Sequence, residues 1–196
     1  PLWSYTAGGN VRSVAISADG EYIVAGSFDN KIYLFDNDSN TPLWSYTTNG
    51  DVWSVSISSD GEHIAAGSYD KVYLFHKDDS TPLWNYNIGS GVTSVSISSD
   101  GEYIVAGSVD GKVYLFNKDS SMPIWSYEIG DARSVSISSD GKYLTAGNQG
   151  TKVYAFENTE LGNESVGYCS FDSFMDNIYV QSPSISGPVI EEYMLL

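Results

Sequence analysis

A five-residue phrase, Pro1-Leu2-Trp3-Ser4-Tyr5, returns three times along the chain. Its copies are Pro42-Leu43-Trp44-Ser45-Tyr46, Pro82-Leu83-Trp84-Asn85-Tyr86 and Pro123-Ile124-Trp125-Ser126-Tyr127. The starts lie 41, 40 and 41 residues apart. The text between them is copied as well, so Asp19-Gly20 recurs as Asp60-Gly61, Asp100-Gly101 and Asp140-Gly141. A unit of this size cannot bury a core by itself. It must stack on its neighbours, so the repeat constrains the fold more tightly than any composition does.

Residues 11–46 show what one unit contains. Val11-Arg12-Ser13-Val14-Ala15-Ile16-Ser17 alternates apolar with small polar residues and reads as a strand, A. Asp19-Gly20 supplies a tight turn. Tyr22-Ile23-Val24-Ala25-Gly26-Ser27 is strand B, and a turn at Asp29-Asn30 leads to strand C, Lys31-Ile32-Tyr33-Leu34-Phe35. The polar stretch 36–41 precedes strand D, Leu43-Trp44-Ser45-Tyr46, with Pro42 at its start, where no ladder N–H is lost. Side-chain size rises from A and B to C and D. That gradient suits sheets arranged radially, small residues near the axis and bulky ones at the rim. The period and the four strands per unit predict an all-β fold, a β-propeller of four-stranded antiparallel blades. No 3.6-residue period outlasts one of these strands, which argues against helices. The sequence units are 1–41, 42–81, 82–122 and 123–158, followed by an acidic segment, 159–196.

The order of strands raises the question of closure. The chain begins with a D strand, and its last clear strand is a C strand, Lys152-Val153-Tyr154-Ala155-Phe156. The N-terminal outer strand is therefore expected to close the last blade and cover a sheet edge. Closure within one chain gives four blades, closure between two chains gives an eight-bladed homodimer, and a third reading makes the chain a piece of a larger ring. Pro1 opening inside a repeat is in keeping with a processed product or a fragment. In the last 38 residues, 166–173 and 177–182 have the apolar spacing of strands A and B, so a degenerate extra blade or a capping segment is expected there.

Ala25-Gly26-Ser27-Phe28-Asp29-Asn30-Lys31-Ile32-Tyr33-Leu34-Phe35-Asp36 resembles the B–C hairpin of WD40 repeats, with Phe35-Asp36 in the place of that family's Trp-Asp pair. The family's Gly-His pair is missing before every strand A, so its buried hydrogen-bond network cannot be assembled. Residues 112–127, from Lys112-Val113-Tyr114-Leu115-Phe116 to Pro123-Ile124-Trp125-Ser126-Tyr127, resemble the PQQ-like repeat, in which an outer-strand Trp packs between blades. The resemblance covers residues 1–158 and implies the fold. It also implies an alternative function, a quinoprotein-like oxidoreductase or another propeller enzyme with its site outside this stretch. Such quinoproteins need calcium, a catalytic carboxylate and a Trp stacked on the cofactor. Only Trp53 is placed to be that Trp, and a lone Cys169 forbids a disulfide of adjacent cysteines.

The formal charge of −16 repels phosphate backbones and anionic lipids, so nucleic acid is not an expected partner. No run of some 18 apolar residues predicts a membrane span. No signal peptide is visible in this stretch, and the single cysteine and the charge leave the compartment open, cytoplasmic or cell-surface. Asp36-Asn37-Asp38-Ser39-Asn40 has carboxylates at alternate positions, as calcium loops do, but lacks the downstream Glu. Its copies place Lys77 and Lys118 inside the loop, so a solvated turn is expected. His63 replaces Tyr22, Tyr103 and Tyr143, and neither it nor His76 has a second ligand at zinc spacing. No metal, no cofactor and no catalytic residue is expected.

Near-identical repeats make their differences informative. The residue entering strand A is Arg12, Trp53, Thr93 or Arg133, and the B–C turn carries Phe28, Tyr69, Val109 or Asn148. In a propeller the D–A and B–C loops share one face, around the axis. Trp, Tyr and Arg dominate interface energetics, so these eight residues form the candidate binding set. The expected function is a non-catalytic binding or scaffold module that presents this face to a protein or carbohydrate partner, without membrane insertion.

Overall fold

The structure, a computed structural model, describes residues 1–159 and the backbone of Cys169 and Ser170. Four antiparallel sheets follow one another along the chain. The first holds β1 (Val11–Ile16), β2 (Tyr22–Ser27), β3 (Lys31–Asp36) and β4 (Trp44–Thr47). The second holds β5 (Val52–Ile57), β6 (His63–Ser68), β7 (Lys71–His76) and β8 (Trp84–Asn87). The third holds β9 (Val92–Ile97), β10 (Tyr103–Ser108), β11 (Lys112–Asn117) and β12 (Trp125–Glu128). The fourth holds β13 (Ala132–Ile137), β14 (Tyr143–Asn148), β15 (Val153–Glu157) and β16 (Cys169–Ser170). These are the predicted blades, each strand hydrogen-bonded to the next in sequence order.

Local chemistry explains each hairpin. At the A–B turn, Ser17 Oγ donates to Asp19 Oδ1 at 2.5 Å, and the Glu21 amide donates to the same oxygen at 3.0 Å. Gly20 takes φ 78°, where a side chain would be strained. Serines 58, 98 and 138 repeat the device. The third strand of a blade is buried on both faces, as Ile32, Tyr33, Leu34 and Phe35 show. The fourth strand alternates, with Trp44 and Tyr46 half-buried and Ser45 and Thr47 exposed.

Blades pack face to face, and the inner strands run β1, β5, β9, β13 around the axis. Rim contacts are equally regular. Trp44 lies over Phe75 of the next blade with ring centroids 5.5 Å apart, and its Nε1 donates to the Lys77 carbonyl at 2.6 Å. Trp84 treats Phe116 and Lys118 in the same way. The outer strands β4, β8 and β12 therefore each belong to one blade by their ladder and to the next by their aromatic rings.

The expected closure is not what the structure shows. The outer edge of β15 is taken by β16, with Ala155 opposite Cys169 and Tyr154 opposite Ser170. The N-terminal segment lies instead on the first blade. Trp3 packs on Phe35 at 5.4 Å and donates to the Asn37 carbonyl at 2.5 Å, and Tyr5 meets Phe35 at 5.1 Å. It thus holds the place of the outer strand of a blade preceding the first. Among the described residues β13 does not pack on β1 as the other inner strands pack on one another, Val14 of β1 stays exposed, and the four blades form an open arc. Of the segment 166–173 only Cys169 and Ser170 are described, as the outer strand of the fourth blade. Residues 177–182 lie outside the described residues.

Candidate binding face

In all four blades the residue that enters the inner strand is the extra residue of a β-bulge. The register slips between Val11 and Ser13, between Val52 and Ser54, between Val92 and Ser94, and between Ala132 and Ser134. Arg12, Trp53, Thr93 and Arg133 are the residues skipped. A bulged residue makes no ladder pair, and the bulge re-aims its side chain. These positions can change without cost to the sheet, which is the physical reason they differ among near-identical repeats.

Hydrogen bonds hold the B–C turns against the D–A loops at the same end of each blade. Phe28 N donates to the Asn10 carbonyl at 2.9 Å, Val109 N to Gly91 at 3.0 Å and Gln149 N to Asp131 at 2.7 Å. From the other side, Thr48 N donates to Asn30 at 2.8 Å, and Ile129 N to Gly111 at 2.8 Å. Asp29 ties the first blade's loops further. Its Oδ2 accepts from the Tyr33 hydroxyl at 2.6 Å and from Gly8 N at 2.7 Å, and its Oδ1 accepts from Lys31 N at 3.0 Å. Burial pushes the Asp29 carboxyl up, but these hydrogen bonds outweigh it and hold it below the usual carboxylate range. Asp110 is bound by Tyr114 in the third blade. The face is therefore a fixed platform and not a set of loose loops.

Neighbouring blades bring the variable side chains together. Phe28 of the first blade meets Trp53 of the second with ring centroids 6.1 Å apart. Trp53 is half-buried, and its Nε1 is enclosed without a hydrogen-bond partner. Tyr69 is exposed, and Val109 is partly so. Thr93 is directed into the fold, its hydroxyl donating to the Gly107 and Ala132 carbonyls at 3.1 and 2.6 Å. Arg12 is exposed and makes no ion pair among the described residues. Arg133 donates to Asp131 Oδ2 at 2.8 Å and to Gln149 Oε1 at 2.9 Å.

One predicted residue is misplaced. Asn148 is the last residue of β14, paired with Ala132 as Ser27 is with Val11. Its amide donates to the Ile129 carbonyl at 2.8 Å. The turn position equivalent to Phe28 belongs to Gln149, which is exposed. The Ala-Gly pair before the turn gives the register, since Ala146-Gly147-Asn148-Gln149 parallels Ala25-Gly26-Ser27-Phe28.

The face offers a central aromatic and apolar strip, Phe28, Trp53, Tyr69 and Val109, with a guanidinium in the blade at either end. Such a surface can bury planar apolar groups and bind carboxylates in bidentate fashion. Among the described residues no three His, Cys, Asp or Glu side chains gather as metal ligands. Comparison with curated proteins finds no match. Residues 1–172 match a family model described as outer membrane protein assembly factor BamB, so the chain belongs to that family of PQQ-like repeat β-propellers.

Proposed function

We propose that the chain is a non-catalytic binding module that holds a protein partner on the face formed by its bulges and B–C turns. The observation that carries this reading is positional. The side chains that distinguish four near-identical repeats sit on bulges and turns at one end of the blades, on a platform held by hydrogen bonds. The family's description as an assembly factor favours a protein over a carbohydrate. Exposed Tyr69 with Arg12 and Arg133 matches the residue types that anchor protein interfaces. In this reading residues 1–158 are the binding body, and 159–196 are accessory to it.

The test is affinity capture on the immobilised chain from extracts of its source cells, with a glycan array in parallel. Proteins retained by the wild type are expected to be lost from the Arg12→Ala/Tyr69→Ala/Arg133→Ala variant, whose thermal melt should match the wild type. Unchanged retention by that variant, or binding to glycans alone, overturns the proposal.

A further inference from the structure

The three interfaces between blades repeat one set of contacts, and the two ends of the arc carry the unmatched halves of that set. Glycines of one blade receive valines of the next. A Cβ on Gly26 would lie 2.6 Å from Val52 Cγ1 and 3.0 Å from Val55 Cγ1. One on Gly67 would lie 2.6 Å from Val92 Cγ1, and one on Gly107 would lie 3.1 Å from Ala132 Cβ and Val135 Cγ1. A Cβ on Gly147, the same position of the fourth blade, would have none of the described residues within 4 Å. At the other end, Val14 is 67% exposed, whereas its equivalents Val55, Val95 and Val135 are 5%, 6% and 7% exposed.

A second contact behaves alike. The turn glycines Gly61, Gly101 and Gly141 press on Tyr22, His63 and Tyr103 of the preceding blade at 2.6–2.7 Å from a notional Cβ. Gly20 presses on none of the described residues, and Tyr143 is 52% exposed where Tyr103 is 8%. Hydrogen bonds form a third series. Val55 N donates to Ser13 Oγ, Val95 N to Ser54 Oγ and Val135 N to Ser94 Oγ, at 3.0–3.1 Å. Ala18 N donates to Ser59 O, Ser59 N to Ser99 O and Ser99 N to Ser139 O, each at 3.0 Å. The next members would join Val14 N to Ser134 Oγ and Ser139 N to Ala18 O, and these two pairs sit at opposite ends of the arc.

We infer that a second copy of this chain docks its first blade onto the fourth blade of its partner, and the reverse, closing a ring of two four-bladed arcs. Val11 and Val14 of one copy fill the socket at Gly147 of the other, and the Gly20 turn covers Tyr143. The occupant is a copy of this chain because the open faces complement each other by the pattern that packs every internal pair of blades. The N-terminal segment is already seated on Phe35, where an outer strand of the preceding blade belongs. In the ring it becomes the fourth strand of the partner's last blade. Internal blades set Trp44 opposite Leu34 and Trp125 opposite Leu115, so Trp3 takes the place opposite Ala155. That place is held by Cys169 in the single chain, so dimerisation displaces β16.

Light scattering after size exclusion on the 196-residue chain tests this. Twice the 21.3 kDa chain mass is expected. Gly147→Val should halve that mass, because an added Cβ meets none of the described residues of the same chain within 4 Å and the side chain blocks the socket. Val14→Lys, at the other face, should do the same, and both variants should keep the far-ultraviolet circular dichroism of the wild type. A wild type that stays at the single-chain mass overturns the inference. So does a ladder of larger masses, the mark of a head-to-tail contact that does not close. A folded Gly147→Val or Val14→Lys variant that keeps the doubled mass overturns it too.

Discussion

His63 is the residue at which one blade departs from the chemistry of its copies. Tyrosine fills this position in the other three blades. Its ring stands edge-on to His76 across the strand pair, 5.7 Å between centroids, under the Gly101 turn, and its Nδ1 is enclosed without a partner. Burial lowers its pKa, and His76 lowers it further; Lys118 acts in the same direction, while Asp60 and Glu62 oppose. The folded chain therefore binds a proton here less readily than the unfolded chain, whose His has a pKa of about 6.5. Stability is complete above that value and is lost as the pH falls below it, because protons pull toward the unfolded state. Calorimetry should show the melting temperature dropping between pH 7 and 5 in the wild type. His63→Tyr should remove most of that drop, with His76 common to both proteins. An equal drop in the variant would put the titration elsewhere. The substitution itself was legible in the repeat alignment, but its consequence was not, because the neighbouring blade's turn supplies the cover. The Asn148 position shows the converse. The fourth blade lacks the Asp that follows the turn residue elsewhere, so aligning on the turn shifts the register by one. Aligning on the preceding Ala146-Gly147 pair restores it, and the pairing of Ala132 with Asn148 agrees.

The strands themselves were legible almost to the residue. Strand B was expected at 22–27 and β2 is Tyr22–Ser27, and strand D was expected one residue before β4 begins. Alternation and turn chemistry are local properties, so one unit read four times gives a reliable pattern. The bulges were hidden, since no residue in Val11-Arg12-Ser13 announces a skipped pair; they emerged as variability at a single position. The function of the glycines in the second strands was equally hidden. Sequence shows an Ala-Gly-Ser motif, while packing shows a socket. Gly67 sits on ordinary strand backbone, so the motif is kept for space and not for φ. Gly67→Ala would place a Cβ 2.6 Å from Val92 Cγ1, with Val92 fully buried and unable to retreat. Overpacking of this kind costs about 1–3 kcal/mol. Chemical denaturation should show a loss in that range with an unchanged slope. A neutral result would mean that the blades slide apart more easily than their hydrogen bonds allow.

At the scale of the molecule, repeat number was legible and closure was not. Whether four blades meet depends on small rotations at each interface, set by how deeply a valine enters a glycine socket. No single unit encodes that sum. Stacked repeats behave as a one-dimensional array, in which each unit draws stability from its neighbours. In the open arc the second and third blades have two neighbours each, and the first and fourth have one. Amide exchange should therefore be graded in the single chain. Strands β6 and β10 should be the most protected, with β2 and β14 exchanging sooner through local opening. Ring closure gives every blade two neighbours. Above the concentration at which sedimentation shows the dimer, protection in β2 and β14 should rise toward that of β6 and β10, while the inner pair changes little. The net charge of −16 opposes the approach of two copies, so added salt should lower that concentration by screening. An interface held by ion pairs would respond with the opposite sign. The contacts that close the ring are valine on glycine, tyrosine under a turn and backbone hydrogen bonds, none of which carries a charge for salt to weaken. Terminal blades that stay unprotected in a demonstrated dimer would place its interface away from their faces.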